Sequence, residues 1–112
     1  MAKNNEAKIT IPKLEARIKL FDDKLGRITQ LVAFVELTVA DFFVIKGIRV
    51  LARREGDDDA RAPFVVFPAE KGRGRDMDVW YDIAHPANPE ARAASISAIL
   101  AAYEKAKQQA GN

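Results

Sequence analysis

Residues Val79 to Arg92 read VWYDIAHPANPEAR, and within them the chain changes its hydrophobic period. Val79 to Ile83 is a short β-branched and aromatic run, the composition of a strand. A few residues later the pattern becomes helical. Asn88 is a good N-cap, and Pro89 suits the first helical position, where its missing N–H is not needed. Glu90 then complements the positive end of the helix dipole. Apolar positions recur at Ala91, Ile96, Ile99, Leu100 and Tyr103, the stripe of an amphipathic helix, with Lys105 and Lys107 suited to its negative end. The same stretch holds the only Trp, Trp80, and the only His, His85, three residues after Asp82.

Upstream, the period is that of strands. LEARIKLF, Leu14 to Phe21, places apolar residues at 14, 16, 18 and 20, the alternation of a half-buried strand, and a turn around Gly26 follows. Ile28 to Val39 is the next strand, apolar in its middle on both faces, which predicts a central position in a sheet. Ala40-Asp41 connects it to Phe42–Arg53, where the apolar parity switches at Lys46-Gly47, the mark of a bulge. RREGDDDARA, residues 53–62, reads as a charged surface loop. Phe64-Val65-Val66-Phe67 is a short strand stopped by Pro68, Ala69 to Asp78 reads as a second loop, and Val79 to Ile83 is the fifth strand. The expected fold is therefore α+β: an antiparallel sheet of about five strands with a C-terminal α-helix packed on it. Residues 1–12 are expected to be a flexible N-terminal extension, 13–108 one domain and 109–112 a frayed end.

Composition narrows the function. The 112 residues have room for a single core, and 48% hydrophobic with 30% charged residues is ordinary for a globular protein. The longest apolar region, Leu31 to Val50, is interrupted by Glu36, Asp41, Lys46 and Arg49, so no membrane span is expected. MAKNNEAK carries no apolar signal segment, and a cytoplasmic location is the default expectation. The absence of cysteine removes disulfides, thiolate metal sites and a Cys nucleophile. Net charge is only +2, but Lys46 to Arg75 holds eight basic against five acidic side chains.

Few residues point to catalysis. Asp82 and His85 have the types of a catalytic pair, but hydroxyl candidates are sparse and no G-x-S-x-G elbow occurs. A corner role, with His85 bonded to nearby backbone and Pro86 stiffening the turn, fits the residues better. One His without Cys leaves no metal set, and Asp57-Asp58-Asp59 lacks the spaced ligands of a calcium loop. Neither a cofactor nor a small-molecule substrate is expected. Lys71-Gly72-Arg73-Gly74-Arg75 is more suggestive: Lys and Arg neutralise phosphates, and Arg binds them in a bidentate manner. Taken alone, it reads equally as a hydrated hairpin loop. Trp80 and Tyr81, adjacent in a strand, point to opposite faces; either both are structural, or one stacks on a base while the other enters the core.

The order of these pieces resembles the SpoVG family of bacterial septation and stage V sporulation regulators. The residues that carry the resemblance are Ile48-Arg49-Val50, Phe64 to Pro68, Lys71, and Asp82-Ile83-Ala84-His85-Pro86, with weaker agreement at Ala16-Arg17-Ile18, Gly26 and Ile96 to Tyr103. The similarity runs from about Glu15 to Lys105. It implies a small α+β fold that pairs as a homodimer, binds DNA and/or RNA, and through that influences gene expression and cell division, without catalytic activity. Carried over by position, the basic residue after F-V-x-x-P is Lys71, with Arg73 and Arg75 in the loop that follows. Nucleic-acid contacts are therefore expected from these three, and Arg49, Arg53 and Arg54 are added as a candidate flank. Where the family has Ser-Lys-Arg, this chain has Ala69-Glu70-Lys71 followed by Gly-Arg-Gly-Arg, so the basic charge is moved rather than removed. The alternative is a protein-interaction or scaffold module that docks a partner on a strand edge or on the apolar surface around Phe34 and Phe42–Phe43.

Overall fold

A computed structural model describes residues 10–21, 30–52 and 62–110. The expected 22–26 turn, the acidic run 57–59, Arg53, Arg54 and most of the N-terminal extension lie outside the described residues. So do the last two residues of the expected frayed end. Strands β1 (Leu14–Leu20), β2 (Leu31–Val39), β3 (Phe43–Leu51) and β4 (Phe64–Val66) form one antiparallel sheet in sequence order. β2 is indeed interior, paired with β1 from Leu14↔Val39 to Leu20↔Ala33 and with β3 on its other side. The helix α1 spans Pro89–Ala110 and lies on one face. The architecture is α+β.

Side-chain alternation decides which face is covered. Ala33, Val35 and Leu37 of β2 and Ile48 and Val50 of β3 are buried against Ile99 and Tyr103 of α1, flanked by Leu14, Ala16 and Ile18 of β1. Each large aliphatic side chain taken fully out of water contributes roughly 1.5–3 kcal/mol. Ser95, Ile99 and Tyr103 are the buried helix positions, spaced four apart on one stripe. The opposite sheet face is largely charged, with Arg17, Lys19 and Arg49 exposed around Phe34. Phe34 meets Phe21 edge-on at 5.9 Å.

Two local features hold the register. Val35 faces Ile48 while Leu37 faces Ile45, so β3 carries one residue more than β2 at Lys46-Gly47. The bulge, with Gly47 at φ +86, lets both Ile45 and Ile48 turn toward the helix. At the other end of the hairpin Ala40 and Asp41 are both left-handed, and the Phe42 N–H donates to the Val39 carbonyl at 2.9 Å. Asp41 is held from outside the turn by Lys13, 3.3 Å away.

The expected fifth strand does not join this sheet. β6 (Trp80–Asp82) pairs with β5 (Ala69–Lys71) in a separate two-stranded ribbon, so the first residues of the expected 69–78 loop are strand. The cause lies at Pro68, which lacks an N–H and ends β4. Its carbonyl accepts from Ile83 N–H at 2.9 Å and Ala84 N–H at 3.4 Å, which continues the ribbon one step beyond the Ala69↔Asp82 pair. At the helix start Asn88 Oδ1 accepts the Ala91 N–H at 2.7 Å, an N-cap bond. Among the described residues no helix is long and apolar enough to cross a membrane.

Candidate nucleic-acid interface

The basic loop is the tip of the β5–β6 ribbon. Ala69 faces Asp82, Glu70 faces Tyr81 and Lys71 faces Trp80. Gly72 N–H donates to the Val79 carbonyl at 2.8 Å beyond the last pair. A 3-10 turn over Gly74–Asp76 then reverses the chain, with Gly74 left-handed at φ +60 and Met77 N–H returning to its carbonyl at 3.4 Å. Lys71, Arg73 and Arg75 are all exposed on this tip. The three cations, free of ion pairs among the described residues, share this hairpin with Glu70, Asp76, Asp78 and Asp82, so what it offers a polyanion is three exposed cationic side chains rather than a net positive charge.

Directly paired residues in an antiparallel ribbon share a face. One face therefore carries Ala69, Lys71, Trp80 and Asp82, the other Glu70 and Tyr81. Trp80 is 63% exposed and Tyr81 47%, so neither enters the core. That corrects the expectation that one ring enters the core; a two-stranded ribbon set apart from the main sheet has no second layer to cover it. The Trp80 face borders a groove against β3 and β4 with two adjoining lobes of about 420 and about 580 Å3, and Arg49, Ala69 and Trp80 line both.

Arg49 thus joins the same surface as the ribbon, projecting from β3 opposite Val66. Arg53 and Arg54 lie outside the described residues. Two further cations line the groove that the sequence reading did not single out, Lys46 in one lobe and Arg92 in the other. Arg92 had a legible signal: a cation in the first turns of a helix opposes the macrodipole, so its position there needs another reason. The structure supplies one, its guanidinium standing over the Phe67 ring at 5.6 Å. Lys46 lies 3.9 Å from Glu36 with both side chains exposed, a pair of little energetic weight.

The Asp82–His85 pair occupies the corner between β6 and α1. His85 Nδ1 lies 2.9 Å from the Pro86 carbonyl, where it serves as the donor, and Nε2 lies 3.7 Å from Asp82 Oδ2. Ser95, on the buried stripe of α1, lines the same cavity as His85, and no hydrogen bond joins the two among the described residues. Among the described residues no three His, Asp or Glu side chains cluster in a way that could hold a metal ion.

The SpoVG family profile matches residues 11–105. Similar proteins carrying the septation-protein SpoVG name include one from Thermoanaerobacter sp. (strain X514), 35% identical over 77% of this chain and 84% of its own length. One from Bdellovibrio bacteriovorus is 34% identical over 73% of this chain and 68% of its own. SpoVG 1 of Listeria monocytogenes serovar 1/2a is 34% identical over 85% and 87%. No solved structure matches the chain significantly.

Proposed function

The chain belongs to the SpoVG family, and from that premise we propose that it is a homodimeric, non-enzymatic regulator of the cytoplasm that binds DNA and/or RNA. In this role it influences gene expression and septation. The observation that carries the reading is the exposure of Lys71, Arg73 and Arg75 on one hairpin, with Arg49 on the adjoining sheet surface. Hydrated cations on a short ribbon neutralise phosphates with little reorganisation, and releasing the counterions of the nucleic acid supplies the affinity. A dimer presents two such hairpins at a fixed spacing, so two weak sites gain avidity.

With three phosphate contacts per hairpin and two hairpins, the logarithm of the binding constant falls with the logarithm of salt at a slope of about −5 on duplex. The test titrates duplex DNA and single-stranded RNA over a salt series with the wild type and with Arg73→Ala/Arg75→Ala. The double variant is expected to bind more weakly with a shallower slope; unchanged affinity and slope would refute the hairpin assignment. Sedimentation equilibrium checks the dimer, whose mass is twice the 12.4 kDa of the chain.

One observation favours a second reading. Phe42 is 84% and Phe43 70% exposed at the tip of the β2–β3 hairpin, with ring centroids 6.2 Å apart. Two aromatic rings held in water at a turn suit a protein partner. Purified protein free of nucleic acid, with no binding at low salt, would favour this interaction module over the regulator.

A further inference from the structure

Trp80 is the only Trp in the chain, and a side chain of that size is usually well covered. Here it stands 63% exposed on a ribbon whose register places a cation directly across from it. The two faces of the ribbon differ in chemistry. On one, Trp80 is paired with Lys71; on the other, Tyr81 is paired with Glu70. Across the groove, Arg49 lines the same two lobes as Trp80, and Lys46 and Arg92 stand one in each lobe. Asp82, also on the Trp80 face, is turned to His85 at 3.7 Å. Trp80 thus has Lys71 as its partner across the ribbon and shares the groove with Arg49 of the sheet.

A ligand that satisfies this arrangement carries a flat aromatic ring and anionic groups on either side of it. A nucleotide within a strand does so, its base for the indole and its phosphates for Lys71 and Arg49. In a duplex the faces of each base are covered by its neighbours; in a single strand they are free to stack on an aromatic side chain. We propose that Trp80 is the stacking platform for an unpaired base, with Lys71 and Arg49 on the flanking phosphates. The preferred ligand is then single-stranded nucleic acid. This deepens the nucleic-acid reading above and rests on it. The path of the strand continues from Lys71 to Arg73 and Arg75 at the hairpin tip.

The sole Trp makes the test direct. The full chain is titrated at fixed salt with 15-residue oligothymidylate, 15-residue oligouridylate and a 15-base-pair duplex, following Trp80 emission. Single strands are expected to quench it, and the duplex to leave it nearly unchanged. Trp80→Ala is expected to weaken single-strand binding about 5- to 150-fold while the salt slope is retained, because no charge is removed; Trp80→Phe keeps most of the affinity. Binding of single strands without quenching, or with undiminished affinity in Trp80→Ala, overturns the stacking site and leaves the basic-hairpin reading standing. Equal quenching by the duplex also overturns it. If Trp80 in the free protein is shielded from acrylamide and becomes accessible on dilution, a second copy of the chain occupies this face instead. Absence of binding to all three probes overturns the nucleic-acid reading itself, and this site with it.

Discussion

Lys71 and Trp80 face each other across the β5–β6 ribbon, while Glu70, one residue away, faces Tyr81 on the reverse. Adjacent residues of opposite charge are thereby assigned to different surfaces. Lys71→Ala should lower nucleic-acid affinity and reduce the salt slope by about 0.9 per hairpin, since one phosphate contact is lost. Glu70→Ala should leave the slope at the wild-type value. A gain in affinity in Glu70→Ala as large as the loss in Lys71→Ala would show that the faces are not distinguished and that the hairpin acts only through its net charge.

Gly47 occupies the bulge at φ +86, with the Pro68 ring the nearest neighbour of an added methyl group at 3.7 Å. That distance is ordinary contact, so the expense of Gly47→Ala is in the backbone rather than in a clash. Left-handed conformation costs a side-chain-bearing residue about 1–2 kcal/mol, partly offset by a stiffer unfolded chain. A net destabilisation of about 1 kcal/mol is expected in urea unfolding. Gly47→Asn should lose less, because Asn tolerates this region better. An alanine variant as stable as the wild type would mean that the bulge relaxes to a regular ladder.

Much of this fold is written locally. Alternation at Leu14, Ala16 and Ile18 identifies β1, and the parity switch beside Gly47 identifies the bulge that keeps Ile45 and Ile48 on one face. Asn88-Pro89 marks the helix start to the residue. The division of the strands between a sheet and a ribbon is not local. It rests on β6 pairing with β5 from Ala69↔Asp82 to Lys71↔Trp80, and backbone pairing between segments that far apart has no side-chain signature. Ala69-Glu70-Lys71 has little strand propensity and is strand only because β6 is there to pair with it. The candidate site divides in the same way. Lys71, Arg73 and Arg75 alternate with glycine within five residues of sequence, whereas the approach of Arg49 and Arg92 to Trp80 exists only after β3, the ribbon and α1 have packed.

Asn88 holds the first turn of the helix through its bond to Ala91 N–H at 2.7 Å, next to the His85-Pro86 corner. Removing a cap of this type costs about 1 kcal/mol, within a range of roughly 0.5–2. Asn88→Ala should lower the unfolding free energy by that amount, read as a lower urea midpoint with the slope of the transition unchanged. Asn88→Asp should retain stability, since its carboxylate accepts the same bond and favours the positive helix end. A loss in the aspartate variant equal to that in the alanine variant would show that the cap bond is not what Asn88 contributes.

Ser95 is the polar residue on the buried stripe of α1, 8% exposed between the helix and the sheet, and its hydroxyl has no hydrogen-bond partner among the described residues. It borders a cavity of about 320 Å3 together with Leu37, Phe67 and Ala91. A buried hydroxyl without a partner costs about 1–3 kcal/mol, and Ser is also a poorer helix former than Ala. Both effects favour the smaller apolar side chain, and the cavity already present is enlarged only by the volume of one oxygen. Ser95→Ala should therefore raise stability by about 1 kcal/mol, an unusual direction for a core truncation. Ser95→Val also removes the hydroxyl but adds the volume of a methyl group, which the cavity must take up, and its branched carbon is disfavoured in a helix, so its gain should be smaller. Thermal and urea unfolding of the three proteins decides the matter. A destabilised Ser95→Ala would show that the hydroxyl finds a partner in solution, such as a water held in the cavity.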